Sequence, residues 1–245
     1  MKKILIYVFG IAFLIAGCED KKKSATNEVE PDSYQEEVVS DSTWNEAEQK
    51  EKDEEKEEIN YPEITNENVM EFLTEYGKEN PETKVLIETE LGDIEITLYE
   101  DTPLHRANFI YLVKENYFEE TVFHRVVPDF IIQAGNSDMY STQKKRAAMG
   151  KNYLLPAEII PGRIHEYGTV SGAKEYRENP DKRTAPYEFF IFLGPLSSTS
   201  HLNGNYTIFG RVTKGMDVVE KISELEADDD DWPQQNVYLK ASVID

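Results

Sequence analysis

Apolar and polar positions alternate along several short runs after residue 81. The clearest run is 93–99, where Ile94, Ile96 and Leu98 alternate with Glu95 and Thr97, so that one face of a strand is buried. Short runs rich in β-branched and aromatic residues predict strands at 84–89, 93–99, 121–127, 130–134, 189–193, 206–212 and 237–243. Gly92 lies between the first two of these runs and predicts a hairpin turn there.

A helical period replaces the alternation in three places. Apolar residues at helical spacing predict a helix over 66–76, before the stop at Pro81. A second helix is predicted over 103–116, with Thr102 as its N-cap and Pro103 in its first turn. A third is predicted over 217–225. Many short strands with two separated helices after residue 81 favour a mainly β protein, a closed barrel with helical caps.

Residues 1–17 have the layout of a secretory signal peptide, with two lysines, a short apolar stretch and then small residues. The sequence Leu-Ile-Ala-Gly-Cys at 14–18 resembles the lipobox of bacterial lipoproteins. That resemblance implies a lipid on Cys18 and a membrane anchor, which places the protein in the cell envelope, facing the periplasm or the cell exterior. The alternative is an ordinary signal peptide with a chance cysteine.

Residues 18–60 differ in composition from everything that follows. Positions 19–60 contain 16 acidic and 6 basic residues with few apolar ones, too few to offset the entropy of ordering the chain. We therefore predict a disordered acidic tether over 18–60, a short helical lead-in over 61–81 and one folded domain over 82–245.

Net charge and cysteine content exclude several classes of protein. The formal net charge of −22 argues against a nucleic-acid partner, because phosphate binding requires a basic face. A single cysteine excludes an intrachain disulfide and a thiolate metal site. The four histidines show no metal-binding spacing, and the acidic run 228–231 does not have the spacing of an EF-hand loop. A monomer without metal or cofactor is expected.

The stretch 123–136, FHRVVPDFIIQAGN, carries the most specific signal. Phe-His-Arg is followed by Phe130 and then, three residues on, by Gln133, a spacing that resembles the signature of the cyclophilin family. Later stretches at 168–173, 189–191 and 202–212 resemble further segments of that family in the same order. The resemblance implies an eight-stranded antiparallel β-barrel closed by two helices and peptidyl-prolyl cis–trans isomerase activity.

The resemblance also implies roles for individual residues. Arg125 would be the catalytic donor. Phe130 and Gln133 would be the other two catalytic residues, and Gln133 would hold a substrate carbonyl. Ala173 and Lys174 would contribute mainly backbone contacts. The remaining substrate-binding positions implied by the resemblance are Ile131, Glu188, Phe190, His201, Leu202 and Tyr206.

Several positions depart from the family pattern. Glu188 stands where glutamine is usual, His201 replaces an aromatic residue of the pocket rim and Tyr206 replaces a common histidine. A carboxylate at 188 could pair with Arg125 and restrain it. The charged loop 174–186 is also longer than usual.

Three functions are therefore compared. The first is an isomerase acting on proline-containing segments of exported proteins. The second is a module that binds proline segments with weakened catalysis, which a close Glu188–Arg125 pair would favour. The third is a chaperone that holds unfolded chains, which needs a large exposed apolar surface.

Overall fold

The computed structural model describes residues 61–174 and 179–244. Its strands are β1 (Lys84–Thr89), β2 (Gly92–Leu98), β3 (Thr121–Val127), β4 (Ile131–Asn136), β5 (Thr169–Gly172), β6 (Phe189–Phe192), β7 (Ile208–Lys214) and β8 (Tyr238–Val243). Its helices are α1 (Val69–Glu79), α2 (Pro103–Lys114), α3 (Tyr140–Met149), α4 (Met216–Ser223) and a 3₁₀ helix at Leu196–His201. The predicted strands and three predicted helices are present, with ends that shift by a few residues.

The eight strands form one closed barrel in the order β1-β2-β7-β5-β6-β4-β3-β8. Every neighbouring pair is antiparallel, including the β8–β1 pair that closes the sheet. Closure leaves no unpaired edge for another chain to extend. The predicted fold class, a mainly β closed eight-stranded antiparallel barrel with helical caps, is confirmed.

Strands β4 and β6 carry apolar side chains on both faces. Ile132, Ala134, Phe189 and Ile191 belong to the main core. Because side chains alternate along a strand, Ile131, Phe190 and Phe192 point to the opposite face, where they form a second buried cluster with Leu202. The uninterrupted apolar run of β6 therefore serves two sites, the interior of the barrel and a surface outside it.

Helix α1 packs against α2 through a cluster of aromatic rings. The ring of Tyr111 on α2 lies 5.3 Å from those of Phe72 and Tyr76, and 5.5 Å from that of Tyr61. The buried Arg106 on α2 donates from its guanidinium to the carbonyls of Gly77, Asn80 and Glu82 at the end of α1. The lead-in segment is therefore continuous with the core of the barrel domain.

The N-terminus of α2 is capped by a residue distant in sequence. Thr102 occupies the N-cap position, but its side chain makes no capping bond and donates instead to the Tyr99 carbonyl. The Glu158 carboxylate accepts from the backbone N–H groups of Leu104 and His105, at 3.0 and 2.9 Å. The predicted N-cap position of Thr102 is confirmed, but the capping acceptor is a carboxylate from a distant segment, whose negative charge the start of a helix favours.

Helix α3 was not predicted from the sequence. Its sequence YSTQKKRAAM has no apolar stripe, and only Thr142 and Met149 are buried. The helix ends at Gly150, beside the lead-in segment, where the Ile64 N–H donates to the Met149 carbonyl at 3.0 Å. Because few apolar side chains of this helix are buried, its sequence lacks the hydrophobic period from which a helix is predicted.

Substitution of Gly150 tests this contact. Gly150 has φ +125°, and a Cβ there would lie 2.1 Å from the Ile64 carbonyl oxygen. We expect Gly150→Ala to lower the free energy of unfolding by about 3–5 kcal/mol, since strain and overlap add. The matched control is Gly162→Ala, at φ +82° with no atom within 4 Å of the added Cβ, for which about 1–2 kcal/mol is expected. Equal losses in urea unfolding would show that the Ile64 contact is unimportant.

Several predictions fall outside the described residues: the signal peptide predicted at 1–17, the lipid attachment predicted at Cys18 and the tether predicted at 18–60. Residues 175–178 of the charged loop lie outside them as well. Among the described residues, no helix combines the length and the apolar character needed to cross a bilayer.

Candidate active site

A cleft of about 680 Å³ lies on the outer face of the barrel. The eleven predicted catalytic and substrate-binding residues all line it: Arg125, Phe130, Ile131, Gln133, Ala173, Lys174, Glu188, Phe190, His201, Leu202 and Tyr206. These residues come from positions spread over more than eighty residues of sequence. The fold thus brings into one cavity the residues that the resemblance singled out.

The apolar part of the cleft is built on the second buried cluster. Ile131 and Phe192 are paired across β4 and β6, and the Phe130 ring meets that of Phe192 edge-on with centroids 6.1 Å apart. The Phe190 ring contacts Tyr206 in the same way at 5.7 Å. Phe192 is fully buried and packs behind this wall. It was not predicted as a site residue from the sequence. The result is a slot lined by rings and aliphatic side chains.

Arg125 reaches the cleft because of a bulge in β3. Phe123 pairs with Ala134 and Arg125 with Gln133, so two residues of β3 advance against one of β4. In a regular strand Arg125 would share the inward face of Phe123, whereas the extra residue turns it outward. Opposite Arg125 on the neighbouring strand lies Gln133, so the two polar side chains share one end of the cleft.

The ion pair made by Arg125 differs from the one considered from the sequence. Its Nε donates to Asp231 Oδ2 at 3.1 Å, and its Nη2 lies 3.1 Å from the same oxygen. Glu188 instead pairs with Arg146, at 3.2 Å between Oε1 and Nη2. The Glu188–Arg125 pair that would have favoured the weakened module is therefore replaced by two separate pairs, each with a partner that the sequence did not identify.

Glu188 is the centre of a polar network beside the slot. Its Oε2 accepts from Gln133 Nε2 at 3.0 Å and lies 3.5 Å from His124 Nε2. Burial alone would raise the pKa of Glu188, but the hydrogen bonds and positive charges of His124 and Arg146 outweigh it and hold that pKa below its ordinary value. The carboxylate is therefore charged at neutral pH and fixes the direction of the Gln133 amide.

Arg146, which holds Glu188, comes from α3 and was not predicted as a site residue. Its Nε donates to Tyr117 Oη at 2.8 Å and its Nη2 to the Gly135 carbonyl at 2.9 Å. The guanidinium carbon lies 5.2 Å from the centre of the Tyr187 ring. No sequence signal marked it, because its segment lacked a recognisable period. The residues after α3 extend the cleft wall: Lys151, Asn152 and Tyr153.

The backbone of Ala173 is already engaged within the protein. Its N–H donates to the Glu188 carbonyl at 3.1 Å, and its carbonyl accepts from Ala185 at 2.9 Å. The predicted backbone contacts of Ala173 with substrate are therefore limited to the second lone pair of that carbonyl. Lys174 places its Nζ 4.6 Å from the centre of the Tyr206 ring, and burial, with a smaller contribution from Lys182, lowers its pKa.

The far wall of the cleft includes His201, one of the residues that depart from the family pattern. The His201 ring lies 5.8 Å from that of Phe130, and Leu202 follows it at the end of the 3₁₀ helix. Behind the wall, the buried His165 ring stacks on Phe190 at 5.8 Å. His165 contacts Asn203 Oδ1 through Nδ1 at 2.8 Å and Ser171 Oγ through Nε2 at 3.0 Å.

The burial of His165 predicts a pH dependence of stability. Burial lowers its pKa below the ordinary 6.5, although the Asn203 hydrogen bond acts in the opposite direction. The unfolded chain then binds this proton more readily than the folded one, so the free energy of unfolding should fall as pH drops below about 6.5. Glu188 contributes only below its own ordinary value of 4.5. Burial raises the pKa of Glu115, so that carboxyl favours the folded state as pH falls and opposes the effect of His165.

Urea unfolding at several pH values measures the decline, and an NMR titration of the His165 ring assigns it. We expect the ring to titrate with a midpoint below 6.5. A midpoint at or above 6.5, or a stability that stays flat between pH 5 and 6.5 in a Glu115→Gln variant, would contradict the prediction.

The fold and the site define a closed antiparallel β-barrel protein with a cleft on its outer face, lined by both charged and apolar side chains. Comparison with known proteins makes the class specific, since residues 84–243 match the model of the cyclophilin type peptidyl-prolyl cis-trans isomerase family. A peptidyl-prolyl cis-trans isomerase of Acinetobacter baylyi is 37% identical over 144 residues, 58% of this chain and 73% of that protein. Peptidyl-prolyl cis-trans isomerase A of Dickeya dadantii is 33% identical over 165 residues, 66% of this chain and 82% of that protein.

A solved structure agrees with these relatives. A cyclophilin type isomerase of Cryptosporidium parvum, determined in the presence of the dipeptide Ala-Pro, superposes with a TM-score of 0.55 at 25% identity, covering 66% of this chain and 99% of that chain. The chain belongs to the cyclophilin family, and its activity is peptidyl-prolyl cis–trans isomerisation.

Proposed function

We propose that the cleft binds the peptide around a proline and that Arg125 catalyses rotation about the prolyl bond. The observation that carries this proposal is the presence of Arg125, Gln133 and an apolar slot in one cavity. The Cryptosporidium parvum relative was solved in the presence of Ala-Pro, which supports a proline-containing ligand.

The reaction requires little beyond this arrangement. Rotation of a peptide bond is opposed by a barrier of about 18–20 kcal/mol, because the nitrogen lone pair is delocalised into the carbonyl. When the bond is twisted, the lone pair returns to nitrogen, and a donor aimed at it binds more strongly than in the ground state. A guanidinium is always charged and has several fixed donors, which suits this role.

The remaining residues hold the peptide during rotation. Phe130, Ile131, Phe190 and Leu202 surround the proline ring and exclude water. Gln133 gives one N–H of its amide to Glu188, which leaves the second to hold a substrate carbonyl. With one side of the bond held, the other side turns beside Arg125, and tighter binding of the twisted bond than of the planar one is what separates a catalyst from a simple binder.

The polar contacts favour an enzyme over a weakened binding module. Glu188 is engaged by Arg146, Gln133 and His124, so it does not occupy the guanidinium of Arg125. The second pair, Arg125–Asp231, uses one edge of the guanidinium and leaves other N–H groups for substrate.

A direct test is NMR exchange on a short proline peptide with the purified protein. The proposal predicts faster cis–trans exchange at sub-stoichiometric protein, together with shifts at Phe130 and Phe190. Binding of the peptide without a change in its exchange rate would favour the module instead.

The cellular role belongs to the same proposal and is supported by the sequence at 1–18. The protein is held on a bacterial membrane by a lipid on Cys18 and catalyses prolyl isomerisation in exported proteins. Labelling cells with a fatty-acid analogue should mark the protein and not its Cys18→Ser variant, which should leave the membrane fraction. Equal labelling or equal membrane association of the two forms would overturn the anchor and leave the catalytic proposal untouched.

A further inference from the structure

The acidic run 228–231 forms a closed turn between α4 and β8. Asp228 Oδ1 accepts from the backbone N–H groups of Asp230 and Trp232, both at 2.9 Å. The Asp231 N–H donates to the Asp228 carbonyl at 3.1 Å, and the Asp228 N–H to the Trp232 carbonyl at 2.9 Å. Four internal hydrogen bonds over five residues give this loop a defined shape.

The turn is attached to β3 on both sides of Arg125. The Val126 N–H donates to the Asp231 carbonyl at 2.9 Å. On the other side, the Trp232 ring lies 5.7 Å from that of His124. The backbone of Asp231 is therefore fixed beside the position of Arg125 on β3. The position of the Asp231 Cα relative to Arg125 is defined by these contacts.

One oxygen of Asp231 holds one edge of the Arg125 guanidinium. Oδ2 lies 3.1 Å from both Nε and Nη2. A guanidinium has five N–H donors in one plane, so fixing this edge sets the plane and leaves the remaining donors for other partners. The side chains of Arg125 and Asp231 are 31% and 42% exposed, and a pair this exposed contributes little to stability. The contact therefore acts on the orientation of the Arg125 guanidinium rather than on stability.

We propose that Asp231 is a positioning residue, which holds the guanidinium of Arg125 in the orientation that catalyses prolyl isomerisation. The inference rests on the role proposed for Arg125. Without Asp231 the long arginine side chain samples several rotamers, and only a fraction of molecules has the donor aimed at the prolyl nitrogen. The loss falls on kcat, since the apolar slot that binds the ring is unchanged.

The test compares Asp231→Gly and Asp231→Asn. Asp231 has φ +64°, a conformation that glycine and asparagine both tolerate, so neither variant strains the turn. We expect Asp231→Gly to lower kcat about tenfold with KM within twofold, and Asp231→Asn, which keeps an acceptor without charge, to lower it about threefold. The matched control is Asp230→Asn, which removes the same charge from a neighbouring position and should leave kcat unchanged.

Two further measurements separate positioning from a structural role. The Arg125 Nε–H resonance should be sharp and slowly exchanging in the unmodified protein and in Asp230→Asn, and should broaden in Asp231→Gly. In an Arg125→Ala background, Asp231→Gly should have no further effect on kcat, because coupled residues are not additive.

The outcomes are distinct. If Arg125→Ala itself leaves kcat unchanged, the role of Arg125 fails and the inference falls with it. If Arg125→Ala is inactive while Asp231→Gly keeps or raises its kcat, the positioning role of Asp231 is refuted and the catalytic role of Arg125 stands. An equal loss in Asp230→Asn would assign the effect to the charge of the loop and would also refute it.

Discussion

Replacing Arg125 with alanine is expected to lower kcat/KM for prolyl isomerisation by about a hundred- to a thousandfold. Removal of one preorganised donor to a transition state costs this much in other enzymes. KM should change little, because the residues proposed to bind the proline ring, Phe130, Phe190 and Leu202, remain. The free energy of unfolding should change by less than about 1 kcal/mol, since the Arg125–Asp231 pair is partly exposed. NMR exchange on a proline peptide and urea unfolding measure the two quantities.

Two variants accompany this measurement. Arg125→Lys keeps the charge but loses the planar fork of donors, and an intermediate activity is expected. Arg211→Ala removes an exposed arginine on β7 and should retain full activity. A loss below about threefold in Arg125→Ala, against the hundredfold expected for a lost donor, would remove Arg125 from the catalytic role.

Replacing Arg106 with methionine is expected to lower the free energy of unfolding by about 2–4 kcal/mol. Arg106 is 8% exposed and donates to the carbonyls of Gly77, Asn80 and Glu82. The carbonyls at the end of a helix have no partner within the helix, and its dipole favours a cation there. Methionine fills the space but leaves those acceptors buried without this donor. The measurement is the urea midpoint, with the slope m as a check on the two-state assumption.

Lys114→Met is the matched control. Lys114 is also on α2 and also contacts Asn80 and Glu82, but through their side chains and from a position that is 34% exposed. A change of less than about 1 kcal/mol is expected for such a pair. Similar losses in the two variants would mean that burial of the guanidinium does not matter to the docking of α1.

Local patterns were sufficient to predict most of the barrel. The alternation at Ile94, Ile96 and Leu98 located β2, and the spacing from Arg125 to Phe130 and Gln133 located the cleft. These signals are local in sequence, since a strand period spans a few residues. The family signature extended them to positions that no local pattern connects, such as Phe190 and Tyr206.

The parts that were missed depend on contacts between distant segments. Asp231 lies 106 residues from Arg125, and Arg146 lies 42 residues from Glu188. Glu158 caps α2 from 54 residues away. An aspartate in an acidic run looks the same in sequence whether it faces solvent or an arginine. Only the closed barrel decides which polar residues meet.

The docking of the lead-in has a consequence for the order of folding during synthesis. Asn66 donates to the Asn152 carbonyl and accepts from the Leu154 N–H, contacts that span 86 and 88 residues. A ribosome completes the chain from its N-terminus, so the lead-in is made long before the segment that it contacts. Helix α1 itself can meet α2 once both are made, but the contacts of Asn66 form only after residues 152–154 have been synthesised, so the docking of the lead-in is completed late.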